Sequence, residues 1–146
     1  MIATAPPVST LHPMPAVVDA SVWIARYVPT DVFHATSTRW LELQLRAGRT
    51  LVAPTLLLSE IAGSVARVTN DTALGLQVAR STMRLSHVRL VPLDSPLAIR
   101  ALSLAATFRL RGADSVYAAV AQALGIPLIS WDKEQIARAG AVSPLP

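Results

Sequence analysis

The chain contains no cysteine, which excludes disulfides and thiolate metal sites and suits a reducing, cytoplasmic setting. Its three histidines, His12, His34 and His87, are scattered and follow no zinc-ligand spacing. Aromatic residues make up only 5% of the chain. No apolar run approaches the roughly 20 residues needed to cross a bilayer, so no membrane association is expected. Residues 1–15, MIATAPPVSTLHPMP, hold four prolines and no Lys or Arg. They therefore lack the basic start and unbroken apolar centre of a signal peptide and read as a flexible leader. Acidic residues are also scarce, nine in 146, so the position of each one is informative.

What is present is a chain 52% hydrophobic with a net charge of +4, and twelve of its thirteen basic residues are Arg. The length fits one domain with a substantial core. A guanidinium pairs bidentately with phosphate, so the charge balance is compatible with nucleic acid. Arg and Ala richness can equally reflect genome composition, and the basic residues form no patch in sequence.

Strand and helix patterns alternate along residues 16–146. AVVD (16–19) reads as a buried strand ending on a carboxylate, followed by a short amphipathic helix, SVWIARYV. In the next segment Val32, Phe33, Thr36, Trp40, Leu43 and Leu45 fit one helical face, and Gly48 stops it. TLVAP is a strand, and TLLLSEIAGSVARV is a helix with Thr55 as its expected N-cap. A weaker helix, NDTALGLQVARSTMRLS, precedes the strand VRLVPL. SPLAIRALSLAATF is a helix with Ser95 as N-cap and Pro96 at its first position. ADSVYAAVAQALG, the strand IPLIS and the helix KEQIARAG complete the series, with Ala141–Val142 a candidate edge strand. Strands separated by helices imply right-handed crossovers and a mostly parallel sheet of four or five strands, with helices on both faces. In such sheets the working site lies beyond the carboxyl ends of the strands.

Two acids stand at those ends, Asp19 in PAVVDAS and Asp132 in PLISWDKE. Each could simply cap the helix that follows, and Asp132 with Gln135 has capping-box spacing. Asp114, in RGADSVYAAVA, lies in a first helical turn where negative charge suits the macrodipole. Glu60 is harder to explain, because it sits within an apolar helix where a lone buried carboxylate is costly. It belongs either at a site or at a solvent edge. Nearby Ala62 and Gly63, and Ala118 and Ala119, suggest close helix approach. Four carboxylates brought together repel unless cations neutralise them, and hard divalent ions with oxygen ligands, Mg²⁺ or Mn²⁺, do so. Without a catalytic His or Cys in evidence, metal-assisted phosphodiester hydrolysis is the chemistry that fits.

The segments VVDAS, LLLSEIAGS, ADSVYAAVA and PLISWD resemble, in order and spacing, the successive motifs of the PIN domain as found in VapC toxins of bacterial toxin–antitoxin pairs. The resemblance runs from about Ala16 to Gly140. It implies a three-layer PIN-like fold and a metal-dependent endoribonuclease cutting single-stranded regions of RNA, homodimeric and inhibited by a cognate antitoxin. It also implies Asp19 and Asp114 as principal Mg²⁺ ligands, Glu60 and Asp132 completing the pocket, and Ser21 and Ser130 as small hydroxyls beside those acids. Ser130 stands where the family more often has Thr, Trp131 is bulky at a variable position, and the leader is longer than usual. A haloacid dehalogenase-type enzyme would need a second Asp where Ser21 stands. The alternative from another class is a catalytically silent PIN-like module that binds RNA or protein.

Overall fold

The computed structural model describes residues 12–144; most of the expected leader, residues 1–11, lies outside them. Four parallel strands form the sheet: β1 (Ala16–Val18), β2 (Leu51–Pro54), β3 (Val88–Val91) and β4 (Leu128–Ile129), in the order β3-β2-β1-β4. The register pairs Ala16 with Leu51 and Val17 with Val52 on one side of β1, and Val17 with Leu128 and Val18 with Ile129 on the other. All three residues of β1 and all four of β2 are buried. That is why these strands read as continuous apolar runs rather than alternating ones. Ala141–Val142 does not form a full strand; Val142 makes an isolated parallel bridge to Ile129.

Among the described residues seven helices flank the sheet: α1 (Ala20–Tyr27), α2 (His34–Arg46), α3 (Leu57–Thr69), α4 (Thr72–Met83), α5 (Ser95–Phe108), α6 (Gly112–Leu124) and α7 (Lys133–Ala139). The chain steps outward from β1 to β2 to β3, then returns across the sheet to β4. Right-handed crossovers therefore place α1–α4 on one face and α5 and α6 on the other. The packing agrees: α1 touches α2 and α3, α3 lies against α4, and α5 against α6, which in turn packs on β1, β2 and β4.

Several helix starts differ from the sequence expectation. Thr55 does not cap α3; Leu56 occupies that position without a side-chain cap bond. Asp94, not Ser95, caps α5, accepting from the Leu97 N–H at 2.9 Å. Helix α2 begins at His34, so Val32 and Phe33 fall in the preceding turn. Its buried residues are Ser37 and Leu41, while Leu43 is exposed. The apolar face read from sequence is thus partly misplaced, because that segment is a loop for its first few residues.

The close helix approach does occur near Ala62, but it is made by Gly75 of α4. A Cβ on Gly75 would sit 2.5 Å from the Ala62 carbonyl oxygen and 3.1 Å from the Ala66 Cβ, whereas one on Gly63 would meet only the end of Arg67. Helix propensity alone favours Gly75→Ala by about 1 kcal/mol. The clash should outweigh this, giving a net loss of roughly 1–3 kcal/mol. Chemical denaturation of the variant decides the sign, and a stabilised Gly75→Ala would contradict this packing.

Candidate active site

The returning crossover makes β1 and β4 neighbours whose connections leave in opposite directions. This is the position where an open α/β sheet forms a crevice at its carboxyl edge. Asp19 leaves β1 there, as the extended N-cap of α1, and its Oδ2 accepts from the Ser21 N–H at 3.1 Å. Ser130, directly after β4, donates its hydroxyl to the same oxygen at 3.0 Å and accepts from the Asp132 N–H at 2.9 Å. Ser21 Oγ in turn accepts from the Trp131 N–H at 3.1 Å. Two serines thus stitch the ends of the two central strands together and fix the buried Asp19 carboxylate.

Asp132 caps α7, with Oδ1 accepting from the N–H groups of Glu134 and Gln135 at 2.8 and 3.0 Å. The capping explanation is therefore correct for both Asp19 and Asp132, and it does not compete with a place in the crevice. Gln135 does not complete a capping box. Its side chain is wholly buried and donates through Nε2 to Asp114 Oδ1 at 3.2 Å.

Helices α3 and α6 supply the other two acids. Glu60 lies in the first turn of α3, half-buried, and its Oε2 accepts from the Tyr117 hydroxyl at 2.5 Å. Asp114 lies buried in the first turn of α6, where the helix N-terminus favours its charge. Arg111 spans two acids: Nε donates to Asp114 Oδ2 at 2.8 Å, and Nη2 to Asp132 Oδ2 at 2.6 Å. Its own side chain remains 68% exposed.

The electrostatics show how closely these groups interact. Burial raises the Glu60 pKa above the usual carboxylate range, and the charges of Asp19 and Asp114 add to it; the Tyr117 hydrogen bond and Arg111 oppose the shift. Asp114 is also raised, first by burial and then by Asp19 and Asp132, although Arg111 pulls the other way. Burial and the Glu60 carboxylate push Tyr117 far up, so it remains a proton donor.

A carboxylic acid with a raised folded pKa keeps its proton to higher pH than in the unfolded chain. Glu60 and Asp114 therefore cost stability as pH rises from about 4, the unfolded range, through their raised folded values. In EDTA, Glu60→Gln should gain on wild type in melting temperature as pH rises from about 4. A difference independent of pH would contradict the coupling.

The structure brings Asp19, Glu60, Asp114, Asp132, Ser21 and Ser130 to one crevice, and adds Arg111, Tyr117 and Gln135. Each added residue stands three positions from an expected acid: Arg111 and Tyr117 flank Asp114, and Gln135 follows Asp132. That spacing is a contact between side chains only for Arg111 and Asp114; Tyr117 and Gln135 instead meet Glu60 and Asp114, acids on another helix.

As a cation site, the donor set fits: hard carboxylate oxygens, two of them raised first by burial and then by neighbouring negative charge. The side-chain positions are not yet convergent. Among the described residues no group of three or more His, Cys, Asp or Glu side chains is placed to hold an ion as it stands. Arg111 is instead the counter-cation of Asp114 and Asp132, through a side chain that remains exposed.

The PIN domain family model matches residues 16–141, and the chain belongs to that family. A comparison with curated proteins gives no match. Among solved structures, the chain is similar to Mycobacterium tuberculosis VapC20, described as a Sarcin-Ricin loop cleaving toxin. The TM-score is 0.71 at 22% identity, over 87% of this chain and 96% of that one. It also resembles a toxin–antitoxin complex from Klebsiella pneumoniae, with TM-score 0.63 and 20% identity over 89% and 98% of the two chains. VapBC2 from Rickettsia felis, bound to a DNA fragment of its promoter, matches with TM-score 0.61 and 12% identity over 89% and 96%.

Proposed function

We propose that this protein is a Mg²⁺- or Mn²⁺-dependent endoribonuclease that hydrolyses phosphodiester bonds in single-stranded RNA, and that it is the VapC-type toxin of a toxin–antitoxin pair. The carrying observation is that β1, α3 and α6 bring Asp19, Glu60 and Asp114 near one another, so that the charges of Asp19 and Asp114 reach Glu60 and the charge of Asp19 reaches Asp114. Asp19 and Asp114 would hold the ion, with Glu60 and Asp132 completing the pocket. A divalent ion bound there lowers the pKa of a coordinated water and stabilises charge developing at the phosphate.

The chain's own residues prepare that arrangement. Both donors to Asp19 fall on Oδ2, which leaves Oδ1 for a ligand. Tyr117 orients Glu60 through one oxygen, and Gln135 holds Asp114 when Arg111 lets go. Arg111, once released, is a guanidinium at the mouth of the crevice, suited to an RNA phosphate.

An antitoxin protein as partner is supported by the similarity to toxin–antitoxin structures. A homodimer is supported by exposed apolar side chains on α3, α4 and α5, including Val68, Leu76, Met83, Ile99 and Leu102. Trp23 is wholly buried and contributes nothing to such a surface. Among the described residues no helix is long and apolar enough to cross a membrane, which accords with a cytoplasmic site of action.

The Arg111 ion pairs favour a second reading, a PIN-like binding module in which an internal cation replaces the metal. Titration of the purified protein with Mn²⁺ separates the two. The nuclease reading expects saturable binding that is lost in Asp19→Asn and Asp114→Asn. A wild-type protein that takes up no divalent ion is the silent module.

A further inference from the structure

Trp131 lies between two site residues, Ser130 and Asp132, yet it points to neither metal nor acid chemistry. Its ring is held in place. Nε1 donates at 2.7 Å to the hydroxyl of Ser37, a wholly buried residue of α2, and its backbone N–H is tied to Ser21. On this fixed indole lies the ring of Phe33, with centroids 4.0 Å apart and planes inclined by 6°. The turn carrying Phe33 is itself pinned, since the Phe33 N–H donates to Asp31 Oδ1 at 2.8 Å. Phe33 nevertheless remains 37% exposed, and its neighbour Val32 is 87% exposed. A parallel two-ring stack, anchored inside and open outside, therefore stands at the rim of the acidic crevice.

We propose that the Phe33–Trp131 stack is a base-stacking platform that receives a nucleobase next to the scissile phosphate of single-stranded RNA. The inference rests on the nuclease reading and deepens it. An unpaired base offers a π-face to such a platform, whereas a base inside a duplex is already stacked on both sides. Single-strand preference then has a structural origin in this chain, independent of base identity. The bulk of Trp131 acquires a use as the rigid inner ring on which the exposed Phe33 is presented.

The test uses Asp114→Asn protein, in which binding can be measured without cleavage. Phe33→Leu and Phe33→Tyr are added, and binding of a fluorescently labelled single-stranded RNA is followed by anisotropy at several salt concentrations. The platform predicts that Phe33→Leu weakens binding roughly five- to a hundredfold, the range of one lost base stack. Phe33→Tyr keeps the affinity, and the salt dependence stays the same because phosphate contacts are untouched. An RNA with abasic positions should bind the Phe33 and Leu forms alike. Equal affinity of the Phe33 and Leu forms for intact RNA, or an equal loss with abasic RNA, overturns the platform and leaves the nuclease reading standing. Failure of the Asp114→Asn protein with Phe33 intact to bind single-stranded RNA overturns both.

Discussion

Asp19→Asn and Asp114→Asn are each expected to lower cleavage of single-stranded RNA about a thousandfold while leaving the fold intact. The size follows from removing a charged ligand whose ion contributes several kcal/mol to the transition state, at 1.36 kcal/mol per tenfold in rate. The stability half of the prediction follows from the hydrogen bonds. Asp19 caps α1 through the Ser21 N–H, and Asn caps about as well as Asp. An Asn at position 114 can still accept from Gln135 through its amide oxygen. Removing one negative charge from the crevice also relieves repulsion, so melting temperature in EDTA should hold or rise. If Asp19→Asn cut RNA as fast as wild type, Asp19 would be a cap and nothing more.

The second large effect concerns the core. Trp23→Ala should cost about 3–5 kcal/mol, the usual penalty for emptying a buried aromatic site. This is a large share of the roughly 5–15 kcal/mol that holds a domain together. Trp23 is wholly buried, and among the described residues its indole Nε1 has no hydrogen-bond partner. Trp23→Phe should therefore cost much less, because the lost ring area is offset by removal of an unsatisfied donor. Urea denaturation of the two variants measures the contrast. A Trp23→Ala protein within 1 kcal/mol of wild type would mean the ring is not packed as described.

Trp23 also shows where sequence reasoning stops. An eight-residue helix that touches only one neighbour would leave its other faces in water, and a Trp there reads as surface. Helix α1 touches both α2 and α3, so Ala20, Val22, Trp23 and Ala25 are all buried. That enclosure is a property of the tertiary arrangement and leaves no trace in an eight-residue pattern. Three of the four acids were legible for the opposite reason. Asp19 and Asp132 close apolar strands, and Glu60 interrupts an apolar helix, so each breaks a local pattern. Arg111, Tyr117 and Gln135 break none. An Arg before a helix, a Tyr on an apolar face and a Gln at capping-box spacing all have ordinary explanations, and only the fold shows which carboxylate each one meets. The aromatic stack is hidden in the same way, since Phe33 and Trp131 are far apart in sequence and meet where α2 passes the end of β4.

The most direct test of the central claim is cleavage of single-stranded RNA by the wild-type protein in Mg²⁺, in Mn²⁺, in EDTA, and after metal is restored to the EDTA-treated sample. The crevice of Asp19, Glu60, Asp114 and Asp132 predicts cleavage with either ion, none in EDTA, and recovery when metal returns. Cleavage that continues undiminished in EDTA would contradict it.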